Sequence, residues 1–291
     1  MKALVFGEVL WDIIEGNYHL GGAPLNFAAH VVQCGQESAM VSCLGTDRLG
    51  DEAMTMIKNM RVDTSLIQKS EKPTGTVPVK LTDGQPEYHI TADVAFDYVN
   101  EGNLDLEKIK NCDVFYFGSL IQRYHFSAQT LYFILDNFSF KKVFYDVNLR
   151  KDCYSQAIIE KSLSYCTMLK VNDDEVEVIS QMLYREKMDF EAFSRQVCGA
   201  YPKIEIVIIT AGKEGSLIFQ AGQLHKVPGV EVKVKDTVGA GDSYSAAFLC
   251  SYFRTSDPIF SASIANRVGG YVASSRGPIP SYPDDLLKLL S

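Results

Sequence analysis

Short apolar runs rich in Val, Ile and Phe recur along the chain: ALVFGEVL (3–10), AMVSCLG (39–45), VFYFGSL (114–120), KVFYDVN (142–148), MLKVN (168–172) and IEIVIITAG (204–212). Between them lie segments with helical spacing, such as PLNFAAHVVQCG (24–35), SAQTLYFILDNF (127–138) and FEAFSRQVCGAY (190–201). Continuous apolar strands alternating with amphipathic helices predict an α/β domain with a mostly parallel sheet. Ligands of such sheets bind at the carboxyl ends of the strands. One segment breaks the rhythm. Residues 73–93, PTGTVPVKLTDGQPEYHITAD, alternate as strands around the turn TDGQ and offer no helix. With EGNYHLGG (15–22) they predict a small antiparallel flap on one face of the sheet, either a lid over a site or a decorative hairpin.

The chain has 291 residues, 46% hydrophobic and 22% charged, enough for a sizeable core in one or two domains. A formal net charge of −8, with no run of Lys or Arg longer than a pair, argues against nucleic acid and membrane surfaces as partners. Seven cysteines are scattered without CxxC or metal-ligand spacing, several inside apolar runs. They read as free buried thiols and predict a reducing, cytoplasmic setting. No stretch reads as a signal peptide or a membrane span.

The segment DTVGAGD (236–242), followed by the helical SYSAAFLCSYF (243–253), places two glycines and an acid at a helix start. Helix N-termini carry unpaired N–H groups and partial positive charge, which suit an anion. The Walker pattern is absent, because Gly212-Lys213 is followed by Glu214. A dinucleotide fingerprint is disfavoured, since Tyr244 stands where its third glycine belongs. What remains is an anion hole from the amides of Gly239, Ala240 and Gly241 with the Asp242 carboxylate beside it, or an ordinary capped helix.

DTVGAGDSYSAAFL and GGAPLNFAAHVVQCG (21–35) together resemble the two signatures of the ribokinase-like, pfkB-type carbohydrate kinases, most closely bacterial fructokinases. The likeness runs from FGEVLWD (6–12) to SSRGPIPSYP (274–283), the whole chain as one domain of residues 1–291. The resemblance implies a three-layer α/β/α core with a small β-sheet lid at about residues 13–20 and 73–98, and ATP with Mg²⁺ as co-substrate and cofactor. It implies Asp242 as catalytic base over the 239–241 anion hole. It assigns the sugar to Asp12, Gly21, Gly22, Asn26 and Arg150, the last in DVNLR (146–150). Here KDCY follows DVNLR, whereas relatives often continue to LW, and that departure leaves the substrate's shape open. ATP falls to Thr210, Gly212 and Gly215 in IITAGKEGS, with Asn266 bordering the adenine. The NxxE pair Asn172 and Glu175 is associated with Mg²⁺ and phosphate through water; Asp236 and Gly277 border a K⁺ site in some members.

GGAPLNFA looks like the fructokinase form, so fructose is the first expected substrate and 2-keto-3-deoxygluconate the rival. A sugar-binding regulatory protein on the same fold is the non-enzyme alternative; it is expected to lose the acid after GAG, which is present. The flap's exposed edges predict a homodimer. Trp11 can line the sugar pocket or pack in the core, and the five histidines form no metal-spaced pair.

Overall fold

A computed structural model describes residues 1–82 and 85–290 of the chain. Thirteen strands are assigned among the described residues. Nine form one sheet: β1 (Lys2–Phe6), β4 (Glu37–Gly45), β5 (Asp63–Ser70), β8 (Val114–Phe117), β9 (Lys142–Asp146), β10 (Met168–Asn172), β11 (Ile206–Thr210), β12 (Ser216–Gln220) and β13 (Gln223–Val227). Their order is β13-β12-β11-β10-β9-β8-β1-β4-β5, with β5 through β11 parallel and only the β12 and β13 edge antiparallel. Each of the predicted apolar runs becomes one of these strands, because a parallel strand is covered on both faces and has no room for polar alternation. Along β1, Leu4 and Phe6 join one apolar core while Ala3 and Val5 join the other, so helices cover the sheet on both sides. The result is the three-layer α/β/α architecture.

The run 3–10 is split. β1 ends at Phe6, and after Gly7–Val9 the chain enters a second sheet with β2 (Leu10–Ile14). Gly7 permits this departure, since a Cβ there would lie 2.1 Å from the Pro24 ring. The small sheet has the order β3-β2-β6-β7, with β3 (Asn17–Gly21), β6 (Gly75–Thr82) and β7 (Gln85–Tyr88). Glu15 and Gly16, both at positive φ (50° and 81°), make the tight β2–β3 turn. Of the predicted turn TDGQ, Asp83 and Gly84 lie outside the described residues. The end of the predicted lid segment belongs instead to the main body: Val94, Ala95 and Phe96 are fully buried in the core, where the Ala95–Tyr98 turn packs against β4 and β5. There Arg123, itself buried, grips the Asp97 carboxylate with two 2.8 Å hydrogen bonds and donates to the Thr91 carbonyl at 2.7 Å. That ion pair anchors the root of the small sheet. Among the described residues no helix is long and apolar enough to cross a membrane, and the seven cysteines are free thiols.

Candidate active site

Asp242 stands in the first turn of the helix Ala240–Thr255. Gly239 caps that helix at φ 80°, and a Cβ there would lie 2.5 Å from the Pro278 carbonyl oxygen, so only glycine fits. Among the described residues the N–H groups of Gly241 and Asp242 find no acceptor. The Ala240 N–H, expected to face an anion, turns back to the Thr237 carbonyl at 3.3 Å and belongs to the turn. Asn26 donates from Nδ2 to Asp242 Oδ2 at 2.8 Å. Burial pushes the Asp242 carboxyl up to about 6, with Asp146 adding to the rise and Asn26, Lys170 and Arg150 opposing it.

The helix Ala23–Gln33, which carries Asn26, begins at Gly22 with φ 115° and Pro24 in its first turn. A Cβ on Gly22 would lie 2.5 Å from the Glu8 carbonyl oxygen, so the GG turn is pressed against the β1–β2 connection. One turn on from Asn26, His30 is fully buried. Its Nε2 donates to the Pro278 carbonyl at 2.9 Å, and its Nδ1 accepts from the Tyr282 hydroxyl at 2.6 Å. Burial holds His30 down to about 4, hence neutral. One helix thus holds the Asp242 carboxyl through Asn26 and, through Pro278, the backbone against which Gly239 rests.

Asp12 lies on β2, half-buried, with its Oδ2 placed 3.0 Å from where a Cβ on Gly21 would stand. Burial raises its carboxyl, while Arg150 and His19 lower it. The Arg150 guanidinium lowers Asp12, Glu8 and Asp242 alike, so three carboxyls share one space with it at the carboxyl end of the sheet. Arg150 is exposed, and among the described residues its hydrogen bond is a long 3.4 Å contact with its neighbour's carbonyl. Among the described residues no carboxylate forms an ion pair with it. Trp11 is not in this space; it is 4% exposed and donates to the Leu49 carbonyl at 3.1 Å.

Thr210 ends β11, directly opposite Asn172 at the end of β10. Asn172 and Glu175 form a reciprocal capping box: Asn172 Oδ1 accepts from the Glu175 N–H and Glu175 Oε2 from the Asn172 N–H, both at 2.8 Å. Asn172 is therefore the cap of its helix, not a residue on its face. Glu175 Oε1 accepts from the Leu149 N–H at 2.8 Å, tying the Arg150 loop to this helix. Both Glu175 oxygens are already occupied by amides, an arrangement that fits an ion reached through water and does not fit direct ligation. Among the described residues no cluster of three acids, His or Cys can hold a metal. Gly215, at φ 95°, lies where a Cβ would meet the Val227 carbonyl oxygen and the Gly229 nitrogen at 2.3 Å. Asn266 secures that strand end, donating to the Val227 and Pro228 carbonyls at 3.1 Å. Gly212, at φ 50°, opens the intervening turn. Asp236 and Gly277 come together, with Asp236 Oδ2 accepting from the Gly277 N–H at 3.3 Å.

Three groups join the site beyond the residues given a role above, one of them, Asp146, from the DVNLR segment itself. Lys170 and Asp146 form a buried ion pair at 3.0 Å, and Asp146 also accepts from the Ser245 hydroxyl at 2.9 Å. A Cβ on Gly241 would lie 3.5 Å from Lys170 Nζ, which puts a positive charge beneath the anion-hole turn. Glu8, 4% exposed, lies near Asp242, whose negative charge adds to the rise that burial causes in the Glu8 carboxyl. Lys170 and Glu8 were invisible because each stands in an apolar run that reads as strand.

Residues 2–285 match the family model described as pfkB family carbohydrate kinase. A fructokinase of Escherichia coli is 24% identical, over 97% of this chain and 96% of its own. A fructokinase of maize is 25% identical over 96% and 90%. Among solved structures, an uncharacterized sugar kinase of Pyrococcus horikoshii in complex with ATP is 27% identical, covers 99% of this chain and 97% of its own, and superposes with a TM-score of 0.83. A fructokinase of Xylella fastidiosa shares the fold at a TM-score of 0.88 with 20% identity, over 99% and 97% of the two chains. With its sheet order, its small second sheet and a family match across nearly its full length, the chain belongs to the pfkB family of carbohydrate kinases.

Proposed function

We propose that the chain transfers the γ-phosphoryl group of ATP to a hydroxyl of a free ketose, fructose first, with Asp242 as general base. The observation that carries the reading is a buried carboxyl, raised to about 6, in the same helical turn as the unpaired N–H groups of Gly241 and Asp242. A base of that strength is ionised at neutral pH yet accepts a hydroxyl proton readily. The Asp242 carboxylate takes the proton of the attacking hydroxyl, while the two N–H groups and the Lys170 ammonium balance charge on the migrating phosphoryl. Asn26 fixes the carboxylate, and Asp12, Gly21, Gly22 and Arg150 orient the sugar. Thr210, Gly212 and Gly215 line ATP, and Asn266 keeps their loop in place. Asn172 and Glu175 would hold Mg²⁺ through water, where the ion would supply positive charge to the ATP phosphates. Asp236 and Gly277 border a K⁺ site; equal rates in K⁺ and in a large organic cation would remove that part.

Support for fructose is the GGAPLNFA segment and the fructokinases among the relatives. A second substrate, 2-keto-3-deoxygluconate, is favoured by one observation: Arg150 is exposed, with no carboxylate ion pair among the described residues, and suits a sugar acid. Initial rates with fructose, ketodeoxygluconate, ribose and nucleosides, each with ATP and Mg²⁺, discriminate these. The largest kcat/KM falls on fructose; preference for ketodeoxygluconate reassigns the substrate, and no turnover of any refutes the kinase reading.

A further inference from the structure

We propose that Glu8 is a sugar-binding residue of this site, its Oε2 accepting a hydrogen bond from a hydroxyl of the bound acceptor. The inference rests on the sugar-kinase reading above and adds to it a contact that neither glycine signature contains. Glu8 lies in the short connection by which the chain leaves β1 of the main sheet and enters β2 of the small one. That connection is at the carboxyl end of the sheet, where ligands of parallel sheets bind. The Gly21-Gly22 turn is packed against its backbone, so the side chain is placed by two elements at once.

Glu8 is 4% exposed, and its Oε2 is buried with no hydrogen-bond partner among the described residues. A carboxyl oxygen hidden from both water and protein is among the costlier ways to bury a polar atom, and native folds keep few of them. The Ser38 and Ser42 hydroxyls are also unpaired, yet a neutral hydroxyl in that state costs far less. A second orphan points the same way. Asn26, whose amide nitrogen holds Asp242, leaves its Oδ1 buried and unpaired. The charged groups that act on Glu8 are Arg150, Asp242 and Arg123. Two of these, Arg150 and Asp242, also surround the acceptor in the reading above. Two acceptor oxygens without donors, in one neighbourhood, call for a ligand that brings several hydroxyls, which is what a polyol does. Burial pushes Glu8 up to about 7, in keeping with a carboxyl that waits for a donor.

The test uses the full chain with Glu8→Leu and Glu8→Gln. For each, KM for fructose at saturating ATP, Kd for ATP by calorimetry, and Tm without ligand are measured. Glu8→Leu raises the sugar KM roughly 10- to 100-fold, the range of one lost hydrogen bond to a charged group. Its ATP affinity stays within about twofold, and its ligand-free Tm does not fall, because removing an unpaired buried carboxyl relieves the fold. Should the leucine variant fail to fold, Glu8→Gln decides: its sugar KM still rises several-fold with Tm preserved. A sugar KM within about twofold of wild type in a folded variant, or a Tm loss with KM unchanged, overturns the inference. Failure of the wild-type chain to phosphorylate any sugar refutes the kinase reading itself, and Glu8's role with it.

Discussion

Asp242 joins two requirements that usually conflict: a carboxylate must be ionised to act as a base, yet basic enough to hold a proton. Burial meets the second and the Asn26 amide, with Lys170 and Arg150, keeps the first within reach of neutral pH. The kcat/KM for the sugar therefore falls on the acid side with a midpoint near about 6, as measured against pH; a flat profile down to about pH 5 contradicts this role. The same shift has a consequence for stability. Its folded-state value lies above the unfolded one, so its contribution is most favourable at low pH and is lost as pH rises through about 6. Asp242→Asn accordingly gains Tm relative to wild type at about pH 8 and loses that advantage at about pH 4, which calorimetry at the two pH values checks. Asp242 was legible from its sequence because glycines and an acid at a helix start are a local signal. Lys170 was not: MLKVN reads as an apolar strand, and only the neighbouring strand shows that Asp146 waits for its ammonium.

At the scale of elements, the helix Ala23–Gln33 does two jobs. Asn26 reaches Asp242, and His30 one turn later holds the Pro278 carbonyl against which Gly239 packs. Replacing His30 by Ala leaves that carbonyl and the Tyr282 hydroxyl without partners, a loss of about 2–3 kcal/mol in stability. The anion-hole turn loosens with it, so kcat falls while the sugar KM changes little; steady-state kinetics on the folded variant checks the split. An unaltered kcat removes His30 from the site's support. Strand existence was readable from the continuous apolar runs, since covered parallel strands need no alternation. The break inside residues 3–10 was not, because the Gly7–Pro24 contact that forces it joins elements distant in sequence. Asn172 and Glu175 show the opposite limit: the four-residue NxxE pattern associated with Mg²⁺ is also a helix capping box, and its carboxylate accepts from two amides.

The whole molecule places the proposed sugar-binding acid and the proposed base on different elements: Asp12 on the small sheet, Asp242 in the helix Ala240–Thr255. The hairpin tip of the small sheet exposes Ile14 (43%) and Tyr18 (47%), an apolar edge that a second copy would cover in the proposed homodimer. Ile14→Lys then shifts the sedimenting mass from twice the chain toward one; a wild-type chain already monomeric at high concentration ends that proposal. The layered fold was legible in the rhythm of runs, whereas the neighbourhood of Arg150 was not, because Glu8 and Asp12 near the start of the chain, Arg150 after β9 and Asp242 in a late helix are far apart in sequence. What joins these scales is the proposed removal of a proton by Asp242 at the moment the phosphoryl group moves. The direct measurement is the single-turnover rate of sugar phosphorylation by Asp242→Asn, with ATP and sugar affinities taken by calorimetry on the same preparation. Loss of at least about 10²-fold in that rate, with both ligands still bound, is the predicted result. A rate close to wild type from a variant that binds both ligands would contradict it.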